Sequence, residues 1–275
     1  MNKQKNNKKS ISKNSVLLNL LIVILIGVFF FALWQLYTIY SDYKKGTDVY
    51  ESLIDLAVME STPMLKEITT DEDMTIESAD TSSSYADYFI DFELLTSINS
   101  DIIGWIRFDA PEIINYPILQ SDDNDTYLHT NIYGEYNSSG CIFMDASNTS
   151  DFSDDNTIIY GHNMKNDSMF GSLSAYQSED FYKEYPYFYI YTPDSIATKY
   201  QLVAVSEVSI TDTTRYTQNF SSTEIFDSYI DTLIKTSYYN TNTPIDTNSS
   251  IITLSTCTAS DNMRFIVQGV KQDLF

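Results

Sequence analysis

The sequence predicts a mostly β chain, an eight-stranded and largely antiparallel closed barrel with inserted helices, behind an N-terminal helix and a transmembrane anchor. Three observations lead there. Eight short runs rich in β-branched and aromatic residues recur at fairly regular spacing from Trp105 to Val270. Helical periodicity is confined to the stretches around and between them. One uncharged run of 25 residues, Val16 to Tyr40, precedes everything else.

That run is long enough to cross a bilayer with some tilt. Lys3, Lys5, Lys8, Lys9 and Lys13 precede it and no acidic residue occurs before Asp42, so the positive-inside rule leaves the N-terminus cytoplasmic and the rest of the chain outside. A cleaved signal peptide is the alternative, but the run exceeds an ordinary apolar core and no small-x-small site follows it. Trp34, Tyr37 and Tyr40 stand where an interfacial aromatic belt belongs. The expected organisation is a basic cytoplasmic tail (1–15), a transmembrane signal-anchor (16–40), an extracellular stalk (41–84) and one domain (85–275) facing the cell exterior.

The formal charge of −22 hides an asymmetry: five of the 16 basic residues precede the span, leaving 11 against 38 acidic ones outside, a net −27. So acidic an exterior argues against nucleic acid as a partner. In the stalk, Asp42 to Met59 keeps some helical spacing, whereas Glu60 to Ser84 is acidic, rich in Ser and Thr and nearly free of aromatics. Such a composition buries too little to offset its ordering entropy and reads as a flexible spacer.

Order resumes near Tyr85, with Phe89, Phe92, Leu95 and Ile98 at helical spacing. The strands then read Trp105–Phe108, Ile113–Gln120, Cys141–Asp145, Thr157–Tyr160, Tyr187–Thr192, Tyr200–Ile210, Ile251–Cys257 and the run led by Arg264. Pro117 lacks a ladder donor and suggests an edge or a bulge. Short helices fit Met169–Tyr176 and Glu179–Tyr185. Ile225, Phe226, Tyr229, Ile230, Leu233 and Ile234 mark a longer amphipathic one over Glu224–Tyr239.

Two acidic clusters, Asp122, Asp123 and Asp125, then Asp151, Asp154 and Asp155, lack the glycine and terminal glutamate of a calcium loop and read as solvated loop acids. No metal or other cofactor is expected. Cys141 and Cys257 are the only cysteines. A disulfide is conceivable outside the cell, but a domain of this size does not need one, and Cys141 reads as a core strand residue.

Chemistry concentrates in the last strand pair. Strand alternation puts Ile251, Thr253, Ser255 and Cys257 on one face, and the polar stretch Thr258 to Met263 suits a hairpin connection. Antiparallel pairing sets Cys257 opposite Arg264, with β carbons roughly 5 Å apart. A neighbouring cation favours the nucleophilic thiolate, and a guanidinium offers donors to a developing oxyanion. The same residues can also be a buried strand cysteine and an ordinary surface charge. Of the two histidines, His162 follows a strand that ends at Gly161, a position from which a side chain can enter a groove, whereas His129 reads as a loop or packing residue. Cysteine plus histidine is the minimal set for thiol acyl transfer.

TLSTC (Thr253 to Cys257), Arg264 leading the next strand and YGHNM (Tyr160 to Met164) together resemble the sortases of Gram-positive bacteria, class B most closely. NSDIIGW (99–105), YPILQ (116–120), DNDTYL (123–128) and GCIFMD (140–145) extend the similarity over roughly residues 90 to 271. The resemblance implies a sortase barrel and a cysteine transpeptidase that anchors surface proteins to peptidoglycan. Cys257 would attack the threonine carbonyl of a C-terminal sorting signal, His162 would protonate the departing amine, and Arg264 would hold substrate and oxyanion. A peptidoglycan stem or cross-bridge amine would resolve the thioester. Substrate contacts would fall on Asn124, Leu128, Ser255 and the 224–239 helix.

Two departures stand out: the seven-position step from Cys257 to Arg264 is shorter than in several relatives, and Cys141 replaces a small residue. Asp and Asn residues near His162, such as Asn163, could orient the imidazole, which the sequence does not show. Alternatives are a secreted cysteine peptidase of the cell wall, disfavoured because its cysteine normally opens a helix and precedes the histidine, and a membrane-tethered adhesion domain without catalysis.

Overall fold

A computed structural model of the chain describes residues 13–60, 88–111, 114–194, 197–246, 249–258, 260 and 262–272. It divides into two compact units, residues 1–45 and 46–275. Helix α1 (Lys13–Ala57) begins in the first. There its apolar side chains from Leu17 to Tyr40 are exposed, Leu17 by 69% and Phe30 by 63%. A helix apolar on all sides and this long meets the length and composition required to cross a membrane.

The second unit opens with the last turns of α1, where Tyr50, Leu53 and Ala57 are buried at three- and four-residue spacing. The Tyr50 hydroxyl donates to the Gly140 carbonyl at 2.7 Å, and its ring meets Tyr116 edge-on at 5.2 Å. A Cβ at Gly46 would stand 2.7 Å from the Ser139 hydroxyl, so glycine permits the close approach. The stalk expected from residue 41 is therefore corrected in its first part: residues 46–57 pack as part of the folded unit because their apolar face finds a partner. Strand β1 (Val58–Glu60) then pairs antiparallel with β2 (Tyr88–Ile90). The spacer expected over 60–84 lies, past Glu60, outside the described residues.

Asp91 caps α2 (Phe92–Ile98), its carboxylate accepting from the Leu94 amide at 2.9 Å. The helical spacing expected from Tyr85 thus starts only at Phe92, because Tyr88–Ile90 is held by β1.

The barrel consists of β3 (Ile102–Phe108), β4 (Asn115–Leu119), β5 (Ile142–Met144), β6 (Asn156–Tyr160), β7 (Tyr187–Tyr191), β8 (Ala197–Ser209), β9 (Ile251–Cys257) and β10 (Met263–Lys271). It closes in the order β10-β8-β7-β3-β4-β5-β6-β9. All eight expected strands are present, but the sheet is mixed: β4 with β5 and β6 with β9 run parallel. Parallel neighbours need long connections, and residues 120–141 and the α4 insertion described below allow them. Pro117 lies opposite Trp105 in β4, and β5 pairs only with Ile118 and Leu119, so the ladder at the proline is one-sided.

Trp105, Ile106, Ile118, Ile158, Leu254 and Ile266 fill the core, and Phe188 stacks between Phe108 at 5.1 Å and Tyr200 at 5.2 Å. The connection after β6 carries a 3-10 turn (Gly171–Gln177) and α3 (Glu179–Glu184). Between β8 and β9, α4 (Thr223–Thr236) buries Phe226, Tyr229, Ile230 and Leu233 against Val203, Ala204, Ile251 and Val270. It ends before the expected Tyr239 because the Tyr238 amide donates to the Val205 carbonyl of β8.

Leu53→Ala removes a fully buried side chain from α1 and is expected to cost about 2–5 kcal/mol. Urea unfolding of the full chain, monitored by barrel tryptophan fluorescence, checks it; an unchanged midpoint would detach this helix end from the barrel.

Candidate active site

Parallel strands β6 and β9 leave the barrel at the same rim. Their ladder runs from Asn156 opposite Ile251 to Tyr160 opposite Ser255, and the Gly161 amide continues it by donating to the Ser255 carbonyl at 3.2 Å. His162 and Cys257 each follow two residues beyond that last pair, on strands whose usual spacing is about 4.8 Å. On the other side of β9, Cys257 pairs with Arg264 of β10, the register the hairpin predicted. Cys257 is an exposed free thiol and Arg264 is half-buried. The three expected residues thus share one rim.

The turn at His162 needs its glycine. A Cβ at Gly161 would lie 2.5 Å from Ile142 Cδ1 and 2.7 Å from the Phe170 ring. Beyond it the chain leaves the ladder, and the His162 carbonyl accepts from the Phe170 amide at 3.0 Å.

The imidazole is partly buried, with Nε2 2.7 Å from the Leu128 carbonyl oxygen. A carbonyl only accepts, so Nε2 carries a proton and the basic nitrogen of the neutral ring is Nδ1. Burial pushes the His162 pKa below its ordinary value; the Leu128 carbonyl opposes the shift and the His129 ring, 5.9 Å away, adds to it. Burial thus favours the neutral ring. Leu128, expected as a substrate contact, holds the imidazole through its main chain, and exposed His129 lies beside the site rather than in a remote loop.

Two tyrosines that sequence reasoning missed complete the rim. Tyr160 and Tyr216 stack at 6.3 Å; burial raises the pKa of both phenols, and the Arg264 guanidinium opposes that rise at each. Tyr216 Oη lies 3.0 Å from Ser255 Oγ, which is itself 2% exposed, and Tyr160 donates to Asp145 Oδ2 at 2.9 Å. Asn124 donates to that same oxygen at 3.0 Å and accepts from the Ala146 amide at 2.8 Å, so both ends of its amide are engaged. Burial works to raise the Asp145 pKa, but hydrogen bonds from Ser147, Tyr160 and Asn124 outweigh it and hold the carboxyl below its ordinary value. Tyr160 was legible as part of YGHNM; Tyr216 ends a short 3-10 turn (Thr213–Tyr216) with no pattern to flag it.

Cys141 is fully buried, its thiol 3.2 Å from the Thr130 carbonyl and pushed up to about 12 by burial. Asp123 caps a turn by accepting from the Asp125 and Thr126 amides; the expectation of solvated acids fails at Asp154, which is 6% exposed and accepts from Asn148, Thr149 and Asn219, and Asp155 ties in the distant Phe220 amide. Among the described residues no group of three or more His, Cys, Asp or Glu is arranged to hold a metal ion.

A mixed barrel presenting thiol, imidazole and guanidinium on one edge is equipped for acyl transfer through a thiol nucleophile. Residues 108–272 match the sortase domain family model. Sortase B of Listeria monocytogenes is 34% identical over 256 residues, 90% of this chain and 94% of the relative. Among solved structures, sortase B of Bacillus anthracis in complex with AAEK1 superposes with a TM-score of 0.67 at 27% identity, covering 85% of this chain and all of that one. A Staphylococcus aureus sortase B–substrate complex gives 0.63 at 28% identity, covering 67% and 86%. The chain belongs to the sortase family, among its sortase B members.

Because folding lowers the His162 pKa, its contribution to stability is complete above the unfolded value near 6.5 and is lost as pH falls toward the folded one. Between pH 7.5 and 5.5 the urea midpoint of the wild type is expected to fall more than that of His162→Gln; equal falls would contradict the burial of a neutral imidazole.

Proposed function

We propose that this chain is a membrane-anchored sortase B. It cleaves a C-terminal sorting signal after threonine and joins the surface protein to a peptidoglycan amine through a Cys257 thioester. The reading rests on one observation above others, the parallel β6–β9 ladder that carries His162 and Cys257 to the same rim with Arg264 across from the thiol.

In the first half-reaction the Cys257 thiolate attacks the threonine carbonyl carbon, and the oxyanion gathers charge beside the Arg264 guanidinium. As the carbon–nitrogen bond breaks, the His162 imidazolium gives its proton to the departing amine. In the second, an incoming amine attacks the thioester, its proton passes to the imidazole, and the carbon–sulfur bond breaks to release thiolate and product. Acid and base roles thus alternate on one ring. Burial that favours the neutral imidazole favours the base role and disfavours the acid form.

Asn124 and Leu128 border the peptide groove in this reading, with Tyr160 and Tyr216 as its aromatic wall and Ser255, expected as a substrate contact, buried behind Tyr216. The solved Staphylococcus aureus sortase B–substrate complex supports a peptide ligand. The apolar run of α1 serves as the anchor, with the lysine-rich tail inside and residues beyond Tyr40 outside.

Full-length chain in detergent micelles is expected to cleave a peptide of the NPQTN or PxTG type and to transfer its acyl part to an added amine. Cys257→Ala should abolish both activities without changing the unfolding midpoint; equal cleavage by wild type and variant would remove the enzymatic reading. Arg264→Lys keeps the charge but loses the planar fork, and turnover should fall about 10²-fold or more. Undiminished turnover would make the guanidinium a structural group.

A further inference from the structure

The β6–β9 ladder stops at an informative point. In a parallel pair, alternate amides of one strand donate to carbonyls spaced two residues apart on the other. The Gly161 amide donates to the Ser255 carbonyl. The next donation in that pattern would run from the main chain of residue 163 to the carbonyl of Cys257.

The main chain does not make it, because Asn163 turns away to bridge Met169. Its side chain supplies the bond instead: Asn163 Nδ2 donates to the Cys257 carbonyl at 2.7 Å. The ladder is thus extended by one rung through an amide side chain, while the backbone is freed to bend and project His162.

We propose that Asn163 is a positioning residue that ties the main chain of Cys257 to the turn bearing His162, which sets the spacing of thiol and imidazole. The inference rests on the transpeptidase reading and goes beyond it. From its sequence position Asn163 could orient the imidazole. The imidazole is held by Leu128, and the amide of Asn163 acts on the cysteine side instead.

The requirement is specific. Cys257 is the terminal residue of β9, one rung beyond the Gly161–Ser255 bond with which the main-chain ladder ends. Two extended residues span about 6.6 Å, whereas a displacement of about 1 Å between reacting groups can cost 10²-fold in rate. The residue at 163 must therefore carry a side-chain donor that reaches the Cys257 carbonyl. A carboxylate of the same shape would set an acceptor against the Cys257 carbonyl.

The test compares Asn163→Ala, Asn163→Asp and Asn163→Gln in the full-length chain, with Cys257→Ala as reference, on the sorting peptide that the wild type cleaves. Ala and Asp are expected to lower kcat about tenfold, with KM within about twofold of wild type and the thermal midpoint within about 2 °C. Gln retains a donor on an exposed site and should recover kcat to within about threefold. Wild-type kcat in Asn163→Ala beside an inactive Cys257→Ala would overturn this inference and leave the transpeptidase reading standing; activity in Cys257→Ala would remove both. A loss that Gln does not restore, or one carried by KM, would likewise overturn the positioning role.

Discussion

The parallel pairing of β6 with β9 is the contact on which the rest of the site depends. Strands distant in sequence are brought side by side with their C-terminal ends at one edge, so a histidine after one and a cysteine at the end of the other become neighbours. Antiparallel pairing would have sent one of them to the opposite end of the barrel. The β9–β10 hairpin then adds Arg264 by local geometry alone.

That pairing is underpinned by a buried polar network rather than by apolar contacts only. Gln268 on β10 donates to Thr253 Oγ1 and to the Tyr229 hydroxyl, Thr253 donates to Asn156 Oδ1, and Asn156 donates to the carbonyls of Arg215 and Thr217. Arg215, 1% exposed, reaches the Thr236 hydroxyl on α4, and its Nε lies 3.6 Å from Asp212. The network joins β6, β9 and β10 to α4 and to the turn that carries Tyr216. Directional bonds of this kind contribute less to stability than to the choice of one register, since a slipped strand would leave several buried polar atoms unpaired. The segment before α4 is thereby held firmly enough for Tyr216 to stack on Tyr160.

Much of this was legible in the chain. The eight strands follow from apolar runs and turn chemistry, α4 from its 3.6-residue period, and the pairing of Cys257 with Arg264 from counting across a hairpin. The misses share a cause. Residues 46–57 read as stalk because three buried positions on one helical turn after another declare themselves only when the surface they cover is known. The parallel pairs were hidden because hydrophobic pattern identifies a strand and not its neighbour. Arg215 is buried against α4, and nothing in the order of residues announces that a guanidinium will be.

The sequence by itself determined which segments extend, where a charge-free helix long enough to span a bilayer lies, and which cysteine, histidine and arginine were worth watching, because local periodicity, charge and turn residues act over a few positions. Only the tertiary structure decided that two strand ends coincide, that the Leu128 carbonyl holds the imidazole, and that Asn163 reaches the Cys257 main chain. Those relations depend on strand order and on side-chain direction across 34 residues of chain for Leu128 and His162 and 94 for Asn163 and Cys257. Such long-range geometry is set by closure of the barrel and by no short run of residues within it.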